Sequence, residues 1–232
     1  MLARLLCLAA LVSFPRLALA QEPWTPAGAC ALRNWNDVET WREWNSHTPP
    51  ANSENWAKEA PRIIDNRDVW RWLDRLHIAV AGGRVVMLSD CAFGDDLHFY
   101  LYERYDEAGG FHVVRVYFYE DHLYALVMRK TGKVFAIPAL PIWSPDRTRF
   151  AYGVCDQMNA KDDIAIVRVT ADGLSTEIAG RMPCGMGDCK LVWEGNATLS
   201  ATCEETEGQG GKRQVMRLNR RGDGWAATTA NR

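Results

Sequence analysis

From Ile78 to the end of the chain, apolar residues recur with a period of two, which places alternate side chains on opposite faces of a strand. Turn-forming residues separate most of these segments. The pattern predicts twelve short strands, at residues 85–89, 97–105, 111–119, 123–129, 134–137, 148–154, 164–170, 176–180, 190–193, 198–202, 214–219 and 225–228. We therefore expect a mainly β domain over residues 78–232, built as an antiparallel meander.

The first long strands of this domain indicate how their sheet is covered. Two connections, at residues 106–110 and 120–121, are expected to place Tyr105 opposite Phe111 and Tyr119 opposite His122. This register puts apolar side chains on both faces, whereas a sheet with one wet face alternates apolar with polar residues. We predict that stacked sheets cover both faces.

Residues 21–77 differ from the β domain because they hold seven of the ten tryptophans. Asn36 has the spacing of a capping box, with Glu39 three positions later. Asn66 is expected to cap a second helix, in which four apolar residues fall at helical spacing: Val69, Trp72, Leu73 and Leu76. We expect a short segment of helices and irregular chain before the β domain.

Three segments of the β domain match one another without gaps at an offset of 50 residues. Each has an aromatic residue followed three positions later by Asp or Asn, at residues 93–96, 143–146 and 193–196. The strands that follow also align. Such recurrence indicates a repeat architecture in which each unit stacks on the next. The alternative is a chance similarity between ordinary meanders.

The middle segment, Pro141-Ile142-Trp143-Ser144-Pro145-Asp146 followed by the strand 149–152, resembles a blade of the TolB-type, WD-like β-propellers. The resemblance covers mainly residues 138–170, and Arg147 stands where those blades usually have Gly. It implies about three propeller-like blade repeats that form an incomplete propeller. A distorted four-bladed ring and a two-sheet sandwich are the alternatives. The resemblance implies no particular activity, because propellers include binders and enzymes alike.

Residues 1–20 have the parts of a secretory signal peptide. Arg4 precedes an apolar run, and an Ala-x-Ala signal ends at Ala20, so we expect cleavage between Ala20 and Gln21. The apolar run is shorter than the roughly 18 residues that a membrane span needs, and no longer run follows. We expect an exported protein, periplasmic or secreted, with no membrane span in the mature chain.

Six cysteines remain after this cleavage. In an oxidising compartment an even number indicates disulfides, here three. The expected pairs are Cys189 with Cys203, which should face each other across a turn, Cys155 with Cys184, and Cys30 with Cys91. A zinc site is the alternative, but its cysteines are usually more closely spaced.

The charge balance argues against nucleic acid as a partner. Without the signal peptide the chain has 25 basic and 29 acidic residues. Binding to a phosphate backbone requires concentrated positive charge. We therefore expect no nucleic-acid partner.

The chemistry-bearing residues form no catalytic motif. No serine lies in a Gly-x-Ser-x-Gly elbow, and the five histidines have no metal-ligand spacing. The acidic pairs Asp95–Asp96 and Asp162–Asp163 could supply the two carboxylates of a glycoside hydrolase. Asp146 is explained by hydrogen bonding within its turn. We expect no catalytic residue, no cofactor and no metal site.

Four tryptophans form the expected binding surface: Trp35, Trp41, Trp44 and Trp56. Indole rings stack on sugars and anchor protein partners, although a lid over the β domain is the alternative. We expect a non-enzymatic binding or scaffold module of the cell envelope, with an envelope protein or a glycan as partner. The alternatives are a glycan-acting hydrolase and a purely structural envelope protein.

Overall fold

The computed structural model describes residues 50–72, 74–91, 98–118, 121–154, 164–182, 187–205 and 213–231. Several predictions concern residues outside these ranges and stay predictions: the signal peptide with Ala20 and Gln21, the tryptophans Trp35, Trp41 and Trp44, and the cysteines Cys30, Cys155 and Cys184.

The described residues form one α-helix, α1 (Pro50–Ile63), followed by four antiparallel sheets. Sheet I has three strands: β1 (Val69–Trp72), β2 (Arg75–Val80) and β3 (Arg84–Ser89). Sheet II has four: β4 (Phe99–Asp106), β5 (Phe111–Tyr117), β6 (His122–Met128) and β7 (Val134–Ile137). Each strand pairs with the next along the chain.

The other two sheets have the same plan. Sheet III contains β8 (Ile142–Trp143), β9 (Arg149–Gly153), β10 (Ile164–Thr170) and β11 (Gly173–Gly180). Sheet IV contains β12 (Gly187–Trp193), β13 (Thr198–Glu205), β14 (Arg213–Arg221) and β15 (Gly224–Asn231). The expected mainly β fold and its antiparallel meander are therefore confirmed.

The predicted helix after Asn66 is wrong, because this stretch forms the β1–β2 hairpin. Its apolar residues obey the period of two as well: Val69, Leu76 and Ile78 are buried while Trp70 and Trp72 lie on the opposite face. The Asn66 Oδ1 atom accepts a hydrogen bond from the Asp68 amide at 3.0 Å. Asn66 thus closes a local turn rather than a helix. Sheet I therefore begins before residue 78, where we expected the β domain to start.

The sheets pack face to face in chain order. One buried cluster joins sheets I and II, a second joins sheets II and III, and a third joins sheets III and IV. In sheet II, Val114 and Val116 belong to the first cluster while Val113 and Leu126 belong to the second. The prediction that this sheet is covered on both faces is confirmed. Four sheets in series replace the two sheets of the alternative sandwich.

The hairpins of sheet II differ locally from the predicted register. Phe99 pairs with Tyr117, but an irregularity between Tyr102 and Arg104 shifts the ladder by one residue, so that Tyr105 lies opposite His112. Such an extra residue is a β-bulge. At the next turn His122 lies opposite Tyr117, not Tyr119. This second shift is by two residues, so it leaves the assignment of side chains to faces unchanged.

The turn before β9 is stabilised by its own side chains. The Ser144 hydroxyl donates to an Asp146 carboxylate oxygen at 2.7 Å, and the Thr148 amide donates to the same oxygen at 3.1 Å. The bond from Ser144 lowers the pKa of Asp146. The turn explanation of Asp146 is confirmed. Arg147, where Gly was expected, adopts a φ of 54°, in the left-handed region that L residues rarely occupy.

Replacing Arg147 by glycine is therefore expected to raise the unfolding free energy by about 1 kcal/mol, since glycine adopts this conformation without steric cost. Urea unfolding of both proteins measures the change. Gly195→Ala is the matched control, because Gly195 has a φ of 76° and open space around it. It should lower stability by a similar amount. A destabilised Arg147→Gly variant would show that the Arg147 side chain outweighs its backbone strain.

Candidate functional site

The outer face of sheet I is the candidate site. Alternate residues of the three strands point away from the core that sheet I shares with sheet II. We call them the sheet I face: Trp70, Trp72, Arg75, His77, Ala79, Val85, Met87 and Ser89. The register places Trp70, His77 and Met87 side by side across the three strands.

The sheet I face is apolar although it is exposed. Trp70 is 41% exposed, Trp72 63%, Val85 48% and Met87 51%. The solvent face of an antiparallel sheet is usually polar. Contiguous exposed apolar residues on a folded protein mark interaction sites. This face therefore differs from ordinary protein surface.

Two aromatic rings are already ordered on this face. The Trp70 indole and the His77 imidazole are stacked, with ring centroids 5.2 Å apart and planes 9° from parallel. His77 thereby supports one side of the Trp70 ring. Trp72 lies two residues further along β1 and is the more exposed indole.

The opposite end of the stack has a different surface. The face of sheet IV that points away from sheet III is largely polar, with Lys190, Ser200, Thr202, Arg217, Asn219 and Thr228 among its residues. Val192 is its large exposed apolar residue among those described. The two end faces of the described array are thus chemically unlike, and only that of sheet I is aromatic.

A buried ionic cluster lies directly behind the sheet I face. Arg71, between the two exposed tryptophans of β1, points inward, where its Nε atom is 2.5 Å from Glu59 Oε2. Its Nη1 atom is 3.0 Å from Asp90 Oδ2. All three side chains are almost completely buried. One guanidinium therefore pairs with two carboxylates, one from α1 and one from the residue that follows β3.

This cluster also satisfies the free edge of β4. The Tyr100 amide donates to Asp90 Oδ1 at 2.8 Å, and the Tyr102 amide donates to Glu59 Oε1 at 2.7 Å. Arg71 donates to the Tyr100 carbonyl. Charged side chains thus cover an edge strand that would otherwise present unpaired backbone groups. They fix β1, and with it Trp70 and Trp72, against sheet II.

Burial raises the pKa of Asp90 to about 7 from an ordinary value of 3.8, although Arg71 opposes this shift. The folded chain therefore binds this proton more tightly than the unfolded chain does, so the contribution of Asp90 to stability rises as the pH falls from 8 towards 5. We expect the stability of the wild type relative to Asp90→Asn to increase over this range. Urea unfolding at several pH values measures it, and a constant difference would contradict the shift.

A second buried titratable group, His112, lies beside Tyr102 in sheet II. The Tyr102 hydroxyl lies 3.2 Å from His112 Nδ1 and accepts a hydrogen bond from Asn66 Nδ2 at 3.1 Å. Burial lowers the pKa of His112 to about 4. His112 is therefore neutral at pH 7, and its contribution to stability falls as the pH drops from about 6.5 to 4, opposite to that of Asp90.

Glu177 occupies the junction of sheets III and IV. Its carboxylate accepts hydrogen bonds from Arg149 Nε at 2.7 Å and from Trp225 Nε1 at 2.8 Å, and it also binds Arg168. The arginine contacts lower the pKa of Glu177 despite its partial burial. Glu177 of β11 thus links β9 and β10 of sheet III to β15 of sheet IV, which suits a structural cross-link.

The acidic pairs considered for hydrolysis, Asp95–Asp96 and Asp162–Asp163, lie outside the described residues and stay predictions. Glu59 and Asp90 do lie close together, but both bind Arg71 and are buried from substrate. Within the described ranges, no group of three or more His, Cys, Asp or Glu side chains could hold a metal ion.

The β12–β13 register places Cys189 opposite Cys203, which confirms the predicted register. Their sulfur atoms are 3.9 Å apart, about twice the length of a disulfide bond. Both residues, and Cys91, are nevertheless disulfide-bonded. The predicted pairs, Cys189 with Cys203 among them, stay predictions. A cross-strand register gives proximity but does not select one partner among several cysteines.

The predicted binding surface stays a prediction. Trp56 lies in α1, and Trp35, Trp41 and Trp44 are outside the described residues. Among the tryptophan side chains that the structure describes, the exposed ones are Trp70 and Trp72. In the part of the chain that the structure describes, no helix is both long enough and apolar enough to cross a bilayer. No protein-family model, curated protein or solved structure matches the chain.

Proposed function

We propose that this chain is an exported, non-enzymatic binding module of the cell envelope, and that the sheet I face is its binding surface. The observation that carries the proposal is the exposed, apolar outer face of sheet I, with Trp70 and Trp72 held in place by the ion cluster behind them. Tryptophans concentrated in a small area are typical of binding hot spots. Export is inferred from the signal-peptide pattern of residues 1–20.

We also propose that the four sheets form an open, propeller-like array. The strands of sheets III and IV recur close to the 50-residue offset of the sequence, since β9 and β13 begin at Arg149 and Thr198 and β10 and β14 begin at Ile164 and Arg213, 49 residues apart in both cases. The Asp146 amide even donates to Asn196 Oδ1, its equivalent at the 50-residue offset, at 3.0 Å. A closed ring would bury both end faces, but the polar face of sheet IV is unsuited to cover the aromatic face of sheet I.

Capture of envelope components on the immobilised mature protein tests the binding function. The wild type should retain components that the Trp70→Ala/Trp72→Ala double variant loses. Phe118→Ala is the matched control, because Phe118 is an exposed aromatic residue outside sheet I and its loss should leave capture unchanged. Identical capture by all three proteins would overturn the proposed function. Far-UV circular dichroism checks that the variants fold.

A further inference from the structure

The size of the sheet I face limits what can occupy it. Three strands spaced about 4.8 Å apart and up to six residues long span roughly 14 by 20 Å. A flat footprint of this size is small for a stable protein interface, which buries roughly 800 Å² of accessible surface per partner. Two exposed turns are charged. One contains Arg67, and the other, Arg129–Lys130, follows β6 and contacts Arg84 at the start of β3. A small ligand fits this area better than a second copy of the chain does.

The shape of the face favours a flat ligand. Compact metabolites bind in concave pockets that enclose most of their surface. The sheet I face is instead one side of a three-stranded sheet with two indoles projecting from it. Trp70 and Trp72 are two residues apart on one strand, hence about 6.6 Å apart along it. A ligand that contacts both rings must be extended along β1.

The chemistry of the face favours sugar rings. An indole ring has a negative face, which attracts C–H groups that carry partial positive charge. A pyranose with equatorial hydroxyls presents such C–H groups on its flat sides and its hydroxyls at its rim. Arg75, His77 and Ser89 lie on the same face and are partly exposed, so they can line that rim. The charge of Arg75 is balanced by Asp74, whose Oδ1 atom lies 3.9 Å from the Arg75 Nε atom. The face carries no carboxylate, so nothing on it selects a cationic ligand.

We propose that the sheet I face binds an oligosaccharide of neutral, β-linked, equatorially substituted pyranoses, with successive sugars against Trp72 and Trp70. This inference rests on the proposed function and specifies its ligand class. The stacked His77 keeps the Trp70 ring oriented before the ligand arrives, which reduces the entropy lost on binding.

Binding of defined oligosaccharides to the mature protein tests this assignment. The probes are tetramers of β-1,4-linked N-acetylglucosamine and of β-1,4-linked glucose, with α-1,4-linked glucose tetramer as the comparison, all measured by isothermal titration calorimetry. We expect at least one β-linked probe to bind more tightly than the α-linked one. Trp72→Ala should weaken that binding at least tenfold, Trp72→Phe should restore part of it, and Phe118→Ala should leave it unchanged.

The outcomes separate this inference from the proposed function. Failure of both β-linked probes to bind, or equal binding by wild type and Trp72→Ala, overturns the oligosaccharide assignment. If the capture experiment still shows components lost in the double tryptophan variant, the binding function stands with a protein partner in place of a glycan. If capture is also unaffected, both proposals fail.

Discussion

Replacing Arg71 by methionine is expected to lower the unfolding free energy by about 3–5 kcal/mol at pH 8, because it leaves two buried carboxylates without their counter-ion. Glu59 and Asp90 are both almost completely excluded from solvent, and both bind this guanidinium. Arg71 also donates to the Tyr100 carbonyl, so the edge of β4 loses a partner too. Urea unfolding measured on purified mature protein gives the change.

The control for this prediction is Arg62, which also joins α1 to sheet II but is more exposed to solvent than Arg71. Arg62 lies 2.9 Å from Glu103 and is partly exposed, so Arg62→Met should cost less than about 1 kcal/mol. The loss in Arg71→Met should also shrink as the pH is lowered to 5, because Asp90 can then take up a proton. Equal and small losses in the two variants would show that the buried cluster does not hold α1 and sheet I to sheet II.

Phe150→Ala is expected to cost a similar amount, about 3–5 kcal/mol, since it removes a large aromatic ring from a packed core. Phe150 is fully buried in β9 of sheet III, and its ring lies 6.1 Å from Phe111 of sheet II. The Trp143 ring is 5.4 Å from Phe150 and completes the contact. The ring thus belongs to the core that joins the two sheets. Chemical unfolding of the variant gives the loss.

Ile142→Ala is the matched control for the aromatic core. Ile142 lies in the adjacent strand β8, but its side chain is exposed, so the change should stay within about 0.5 kcal/mol. If Phe150→Ala were as mild as this control, sheets II and III would not share a core in solution.

The β strands after residue 80 could be predicted closely because their apolar residues fit the pattern of a strand and no other. Val134–Ile137 and Ile164–Thr170 match their predicted bounds, since each is a run of apolar and β-branched residues between turn residues. The β1–β2 hairpin could not be predicted in this way. Val69, Trp72 and Leu76 fit the apolar stripe of a helix. Only the period of two between Leu76 and Ile78, which share the buried face with Val69, favours strands.

The candidate site was missed for the same reason. A helical assignment places Trp72 with Val69 on one buried face, whereas in β1 they lie on opposite faces and Trp72 is exposed. The surface forms where the short strand β1 meets its cross-strand neighbours His77 and Met87. Neither of these two residues is adjacent to the tryptophans in the sequence. The alternation of Trp70, Arg71 and Trp72 was an available signal for a strand, because successive side chains of a strand point to opposite faces. The same alternation would place the tryptophans rather than Arg71 in the core, because the buried face of a sheet is usually the apolar one.

Oxidation of tryptophan side chains, read by mass spectrometry in free and ligand-treated mature protein, tests the binding surface most directly. In the free protein Trp72 and Trp70 should react before the less exposed Trp143, Trp193 and Trp225. Addition of a ligand retained in the capture or titration experiments should slow the reaction of Trp70 and Trp72 alone. Slow oxidation of Trp72 in the free protein, or ligand protection elsewhere but not on the sheet I face, would contradict the account.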